Sequence, residues 1–287
     1  MLKPLEGLGD AAVLSAQDMS SLLPGQKNKW TVHNIEAGSA RAGNAWRDYL
    51  TSVSVVVSAG HYMPVGAVAE EWSRSIGALF VVIQHGLMTP YAPPLPKGAH
   101  LLAFSEADAS FWASGRTDIT SEAVGSQLLW KAQQNQGRSL VSELPLFLGQ
   151  LHGAELPRSL SAKTAATFCR EVGAEYRPHP AETDILSRMQ HARWAKQGIV
   201  IDSSMISLLE NPRPVVSIFS TGVLEAAAAG IPSWVTISRP VAWVSEFWDR
   251  YGMAQWGGEP TPAPLVPQKE PAKAIAEVLV KIVGNSR

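Results

Sequence analysis

A single cysteine, Cys169, is all the thiol this chain has, which excludes an intrachain disulfide and any multi-thiolate zinc site. Charge of one sign is equally missing. The formal net charge is −1, charged residues make up 17%, and no basic block occurs, so nucleic acid is not an expected partner. No apolar run approaches the length of a bilayer span. The opening MLKPLEGLGDAAVLSAQ has no basic-then-apolar leader layout, so a soluble, cytoplasmic protein is expected. Several catalytic signatures are absent as well. Without Asp-x-Asp or HExxH there is no obvious holder for a catalytic or nucleotide-bound metal, and no metal site is expected. Without GxSxG or a P-loop, the commonest hydrolase and NTPase routes drop out. Gly7 to Ala12 fits a GxGxxA string, but no strand precedes it, so the dinucleotide reading fails.

What is present is core material. Hydrophobic residues are 46% of 287, enough for one large or two modest domains, and ten tryptophans supply bulky filler. Asp10 to Leu23 is weakly helical. Trp30 to Ile35 alternates like a strand, and a helix is expected over Ser39 to Leu50. VSVVVS (Val53–Ser58) and ALFVVI (Ala78–Ile83) are continuous apolar runs of strand length, with a helix over Pro64 to Ile76 between them. Gln84-His85-Gly86 ends the second run. A proline-rich loop, a strand near His100, a helix capped by Ser105 and a strand over Ile119 to Val124 follow. Continuous apolar strands alternating with helices predict parallel sheets covered on both faces, with ligands off the carboxyl ends of the strands.

Lys131 to Glu143 reads as a hinge, after which the pattern restarts. Strands are expected at Leu144–Leu148, Glu175–Arg177, Ile199–Ile201, Val215–Phe219 and Trp234–Ile237. Helices are expected near Ser159–Val172, Glu182–Ala195, Val241–Tyr251 and Pro271–Val283, with Asp202-Ser203-Ser204 opening another to about Leu209. The focal stretch is PVVSIFSTGVLEAAAAGIP (Pro214–Pro232). Its apolar strand passes through Ser220 and Thr221, either of which can cap a helix stopped by Gly230 and Pro232. A strand feeding a capped helix aims free N–H groups and a positive dipole end above the sheet, which suits an anion. The reading is α/β, with two Rossmann-like domains, 1–140 and 141–287, whose parallel sheets face a central cleft.

Gln84-His85-Gly86, Arg177-Pro178-His179-Pro180 and Ser220-Thr221 with Glu225 occur in that order. Together they resemble the metal-independent GT-B glycosyltransferases and polyol-phosphate transferases that use cytidine-activated donors, the CDP-glycerol glycerophosphotransferase type among them. The resemblance spans about Val53 to Ile237. It implies an acceptor-side first domain and a donor-binding second domain. The implied reaction moves a sugar or polyol-phosphate from a CMP- or CDP-linked donor to a hydroxyl of a cell-surface glycan precursor. It also implies roles. His85 would be the general base for the acceptor hydroxyl, while His179 binds the donor phosphate and assists the leaving nucleotide. Arg177 would add charge, Ser220 and Thr221 would cradle phosphate, and Glu225 would hold ribose hydroxyls. Gly149 and Gln150 would admit the nucleotide closely, with Ser203 and Ser204 lining its pocket. No resident cofactor is implied, since the nucleotide-linked donor is a substrate. A glycan or lipid-linked acceptor is the expected partner, the latter making a peripheral membrane contact useful.

Alternatives stand beside these roles. His61 and His152 also lie at strand ends, and either could replace His85 as base. Arg177 could pair with Glu175 or Glu182, and Glu225 could be an ordinary dipole-stabilising acid. The first-half motif reads Gln-His-Gly-Leu where the teichoic-acid enzymes have His-Gly-Thr, which leaves the acceptor class open. A UDP-sugar 2-epimerase of the same two-half fold and a non-catalytic nucleotide- or glycan-binding module are the rival readings.

Overall fold

The computed structural model describes residues 2–15, 17–25, 30, 31, 47, 50, 52–204 and 206–285. They divide into two compact units. One comprises Met1–His85, Pro93–Gly125 and Pro267–Arg287, the other Gly86–Ala92 and Ser126–Val266. The expected strand over Trp30 to Ile35 and helix over Ser39 to Leu50 fall largely outside the described residues.

In the first unit, β1 (Val55–Ser58), β2 (Leu79–Ile83), β3 (His100–Ala103) and β4 (Thr120–Ala123) pair in parallel in sequence order. β3 is buried along its length and β2 at its three central residues, as their mostly apolar sequence requires. Helix α1 (Pro64–Ile76) starts on Pro64, whose missing N–H costs nothing in the first turn. It stops at Gly77, whose φ of +70° lets its N–H close back on the last turn. Gly66 fits there because α1 runs against the loop after β1. A Cβ at this position would sit 2.0 Å from the Gly60 carbonyl oxygen. Helix α2 (Glu106–Trp112) is capped by Ser105, whose hydroxyl accepts from the Asp108 N–H at 3.1 Å.

The second unit holds α3 (Gln127–Gln133), β5 (Leu146–Leu148), α4 (Arg158–Val172), β6 (Glu175–Arg177) and α5 (Ile185–Lys196). It continues with β7 (Val215–Ser217), α6 (Thr221–Ala228), β8 (Ser233–Val235) and α7 (Ala242–Tyr251). Its sheet is parallel throughout, in the order β6-β5-β7-β8. The chain leaves β5 for β6 on one side, then crosses to β7 on the other. The order therefore reverses between β5 and β7, the place where open α/β sheets leave a crevice at their carboxyl ends. Phe147, Tyr176, Val215 and Val216 lie at most 1% exposed at the centre of this unit's core.

Helix α8 (Pro271–Asn285) belongs to the first unit, where Ile275 and Leu279 bury against Val81, Leu102 and Val124. Its apolar face is thereby packed on protein. Each unit is a Rossmann-like α/β layer structure, the class the alternating pattern predicts. No helix among the described residues is long and apolar enough to cross a membrane.

Local departures have local causes. Gln127–Gln133, ahead of and partly inside the expected hinge, is helical because the Ser126 hydroxyl caps it. Ile199–Ile201 gives one bridge, Ile201 to Tyr176, instead of a strand. Asp202 opens no helix: its carboxylate accepts from the Ser204 N–H and from Arg177, which bends the chain away. Among the described residues of 10–23, only Ser20–Leu22 forms a helical turn, as a short 3₁₀ segment.

Candidate functional site

At the carboxyl edge of the second sheet, three loops leave adjacent strands. The loop after β5 is Gly149-Gln150-Leu151-His152-Gly153. It lies between Pro178-His179-Pro180 after β6 and Ile218-Phe219-Ser220 after β7. With strands about 4.8 Å apart, the outer two leave the sheet about 10 Å from each other. The Gln150 side chain crosses the switch point. Its Oε1 accepts from the Phe219 N–H at 2.9 Å and lies 3.0 Å from the Ser217 hydroxyl. Gln150 is thus a strap between β5 and β7.

Beyond the strap, Ser220 caps α6, its hydroxyl accepting from the Gly222 N–H at 3.2 Å. Thr221 is the first helical residue, so hydroxyl oxygens and the positive dipole end meet at the crevice. Glu225, one turn on, is half-buried, and burial holds its carboxyl above the usual carboxylate range. No hydrogen bond or ion pair of its side chain is found among the described residues.

On the other side, His179 and His152 stack face to face, centroids 3.7 Å apart and planes 16° from parallel. The His179 Nδ1 accepts from the Ala181 N–H at 3.1 Å. In the neutral ring the proton is therefore on Nε2, which is the free donor. Loss of hydration depresses the His179 pKa first, and the neighbouring His152 depresses it further. Arg177 is committed. It meets the Asp202 carboxylate at 2.6–2.7 Å and donates to the Ile206 carbonyl at 3.0 Å, so neither Glu175 nor Glu182 is its partner. Ser204 lies within that turn, and Ser203 is exposed beside it. Gly149 is tight against protein. A Cβ there would stand 2.3 Å from the Tyr176 hydroxyl and 2.6 Å from the Glu182 Oε1.

In the first unit, His85 follows β2 with an exposed ring, its Nε2 3.4 Å from the Tyr62 hydroxyl. His61, after β1, is 8% exposed and its Nε2 meets the Pro94 carbonyl at 3.0 Å. That pin holds the proline loop, as Trp112 does through the Pro93 carbonyl. The segment after His85 is held within the second unit: the Met88 N–H donates to the Tyr251 hydroxyl at 2.8 Å, and Arg250 donates to the Met88 carbonyl.

The structure therefore gathers His179, Arg177, Gly149, Gln150, Ser204, Ser220 and Thr221 along one sheet edge, with Ser203 beside them. His85 stands in the other unit. His152, weighed from the sequence only as a base, is instead the stacking partner of His179. Glu182, buried two residues after the His-Pro pair, was weighed only as a partner for Arg177. An acid at that spacing followed by a helix cap was the available signal. Among the described residues, no three His, Cys, Asp or Glu side chains converge as a metal group would need.

No protein-family model matches the chain, and no curated protein matches it. Among solved structures, it is similar to the UDP-GlcNAc 2-epimerase from Methanocaldococcus jannaschii, with a TM-score of 0.48 and 11% identity over 91% of this chain and 88% of that one. It is also similar to the pneumococcal O-GlcNAc transferase GtfA in complex with UDP and GlcNAc, with a TM-score of 0.43 and 12% identity, covering 86% of this chain and 53% of that one.

Proposed function

We propose that this chain is a nucleotide-sugar-type transferase of GT-B kind. On this reading the second unit binds a nucleotide-activated donor and the first unit takes the acceptor. The observation that carries the reading is the crevice at the β5–β7 switch point. It has a capped helix N-terminus on one side and, on the other, a stacked imidazole pair in which the His179 Nε2 carries the proton of the neutral ring. That arrangement suits a diphosphate. Its oxygens accept from the His179 Nε2–H, from the Ser220 and Thr221 hydroxyls and from backbone N–H groups at a positive dipole end. The same donors stabilise the charge that grows on the nucleotide as its bond to the transferred group breaks. Glu225, whose proton affinity burial raises, offers ribose a hydrogen-bonding carboxyl. Arg177 acts through Asp202, shaping the turn that carries Ser203 and Ser204. His85, exposed after β2, is the base assigned to the acceptor hydroxyl. A CMP- or CDP-linked donor and a glycan or lipid-linked acceptor are the substrates of this reading.

Calorimetry with CMP, CDP, UMP and UDP on the full chain tests it. At least one nucleotide should bind, and His179→Ala should weaken it about tenfold or more, equivalent to about 1.4 kcal/mol. No binding by any of the four, or binding indifferent to His179→Ala, refutes the donor site. Incubation with UDP-GlcNAc alone separates the epimerase reading. Formation of ManNAc without an acceptor would replace the transferase assignment.

A further inference from the structure

Beneath the imidazole pair lies a carboxylate with no access to solvent: the Glu182 side chain is fully buried. A buried carboxylate requires hydrogen-bond donors, and Glu182 draws them from separate parts of the chain. Its Oε1 accepts from the Leu151 N–H at 2.9 Å, in the loop after β5. The Tyr176 hydroxyl, from β6, lies 2.9 Å from Oε2. The His191 Nε2, from α5, lies 2.9 Å from the same oxygen. The Glu182 N–H donates to the His179 carbonyl at 2.8 Å, which closes the His-Pro turn on itself.

Leu151 is gripped from the other side too. Its carbonyl accepts from Arg158 at 3.1 Å, and Arg158 continues to the Ser187 hydroxyl at 2.7 Å and to the Asp184 carboxylate. Both backbone polar groups of the residue before His152 are therefore taken by charged side chains. Both of those side chains are tied to α5 or its cap. On the His179 side, the same Glu182 fixes the carbonyl of the turn.

We infer that Glu182 is the positioning residue of the His152–His179 pair. Its carboxylate ties the loop after β5 to the loop after β6, and this sets the two rings face to face. Gly149 belongs to the same device, since a side chain there would drive into the Tyr176 hydroxyl and the Glu182 Oε1. The geometric claim stands on these contacts. Its consequence for ligand affinity rests on the nucleotide reading above.

The test is an NMR titration of the His179 ring in the full-length protein, comparing wild type with Glu182→Gln and Gly149→Ala. If Glu182 positions the pair, either change lets the rings part, and the His179 midpoint rises toward that of an ordinary histidine. If Glu182 contributes charge alone, Glu182→Gln moves the midpoint the other way, because a nearby carboxylate raises an imidazole's proton affinity. A further fall, or an unmoved midpoint in both variants, overturns the inference. Tyr176→Phe keeps the packing and removes one donor. It should give a smaller rise, and it decides the matter if either other variant does not fold. In parallel calorimetry with UDP and CDP, Glu182→Gln should cost about tenfold in affinity. A wild type that binds neither nucleotide defeats the donor-site reading while leaving the titration result to decide the role of Glu182.

Discussion

An imidazole whose Nδ1 is already satisfied by a backbone N–H has one donor left to offer, and in His179 that donor is Nε2. Gln150 shows the reverse case, a side-chain oxygen taken up by two partners within the fold. Cutting it back in Gln150→Ala removes the acceptor for the Phe219 N–H and loosens the edge between β5 and β7. The expected loss is about 1–3 kcal/mol in urea unfolding. The sequence alone makes Gly149 and Gln150 candidates for nucleotide contact, because polar residues at a strand's carboxyl end serve ligands and neighbouring strands alike. Only the partners distinguish the two uses: Phe219 is 69 residues from Gln150 along the chain, and Tyr176 and Glu182 crowd Gly149 from β6 and the turn beyond it. Arg177 is the same kind of case, since its Asp202 partner lies 25 residues away.

Elements whose ends are marked by their own residues were the legible ones. Helix α1 occupies Pro64–Ile76 as the sequence predicts, because Pro64 and Gly77 dictate its start and stop locally. The cap of α6 at Ser220 is equally local. Ser220→Ala should lower stability by about 1 kcal/mol, measured by chemical denaturation. The turn after Asp202 was not legible, because Arg177, 25 residues away, joins the Ser204 N–H on the Asp202 carboxylate. Helix packing against backbone adds a sharper test. Gly66→Ala would push a methyl into the Gly60 carbonyl, and backbone cannot swing aside as a side-chain end can. A loss of about 3 kcal/mol or more is expected, visible as a marked fall in the thermal midpoint.

Across the whole molecule, His61, His100 and His179 share a property: loss of hydration depresses the proton affinity of each in the folded state. His100 is buried against the Thr120 hydroxyl at 2.7 Å, and His61 against the Pro94 carbonyl. The unfolded chain titrates these rings near the ordinary value of about 6.5, so on acidification it binds protons before the native state does. Their contribution to stability is therefore complete above that value and is lost as pH falls through the lowered native midpoints. Urea midpoints should drop between pH 7.5 and pH 5.5, and His100→Gln should flatten part of that slope. A midpoint unchanged over this range would contradict the assignment of neutral native rings. At this scale the parallel α/β class was legible from apolar run lengths, since strands buried on both faces must read that way.

The route of the backbone carries a practical consequence. Helix α8 completes the first sheet's layer although most of the chain separates it from β4, and a seven-residue excursion, Gly86–Ala92, is donated to the second unit from within the first. A fragment ending near residue 140 would bare Val81, Leu102 and Val124, while one starting there would carry an orphaned amphipathic tail. Anyone exchanging halves with another scaffold should splice 1–125 together with 267–287, because the molecule is woven and a single cut leaves both pieces frayed.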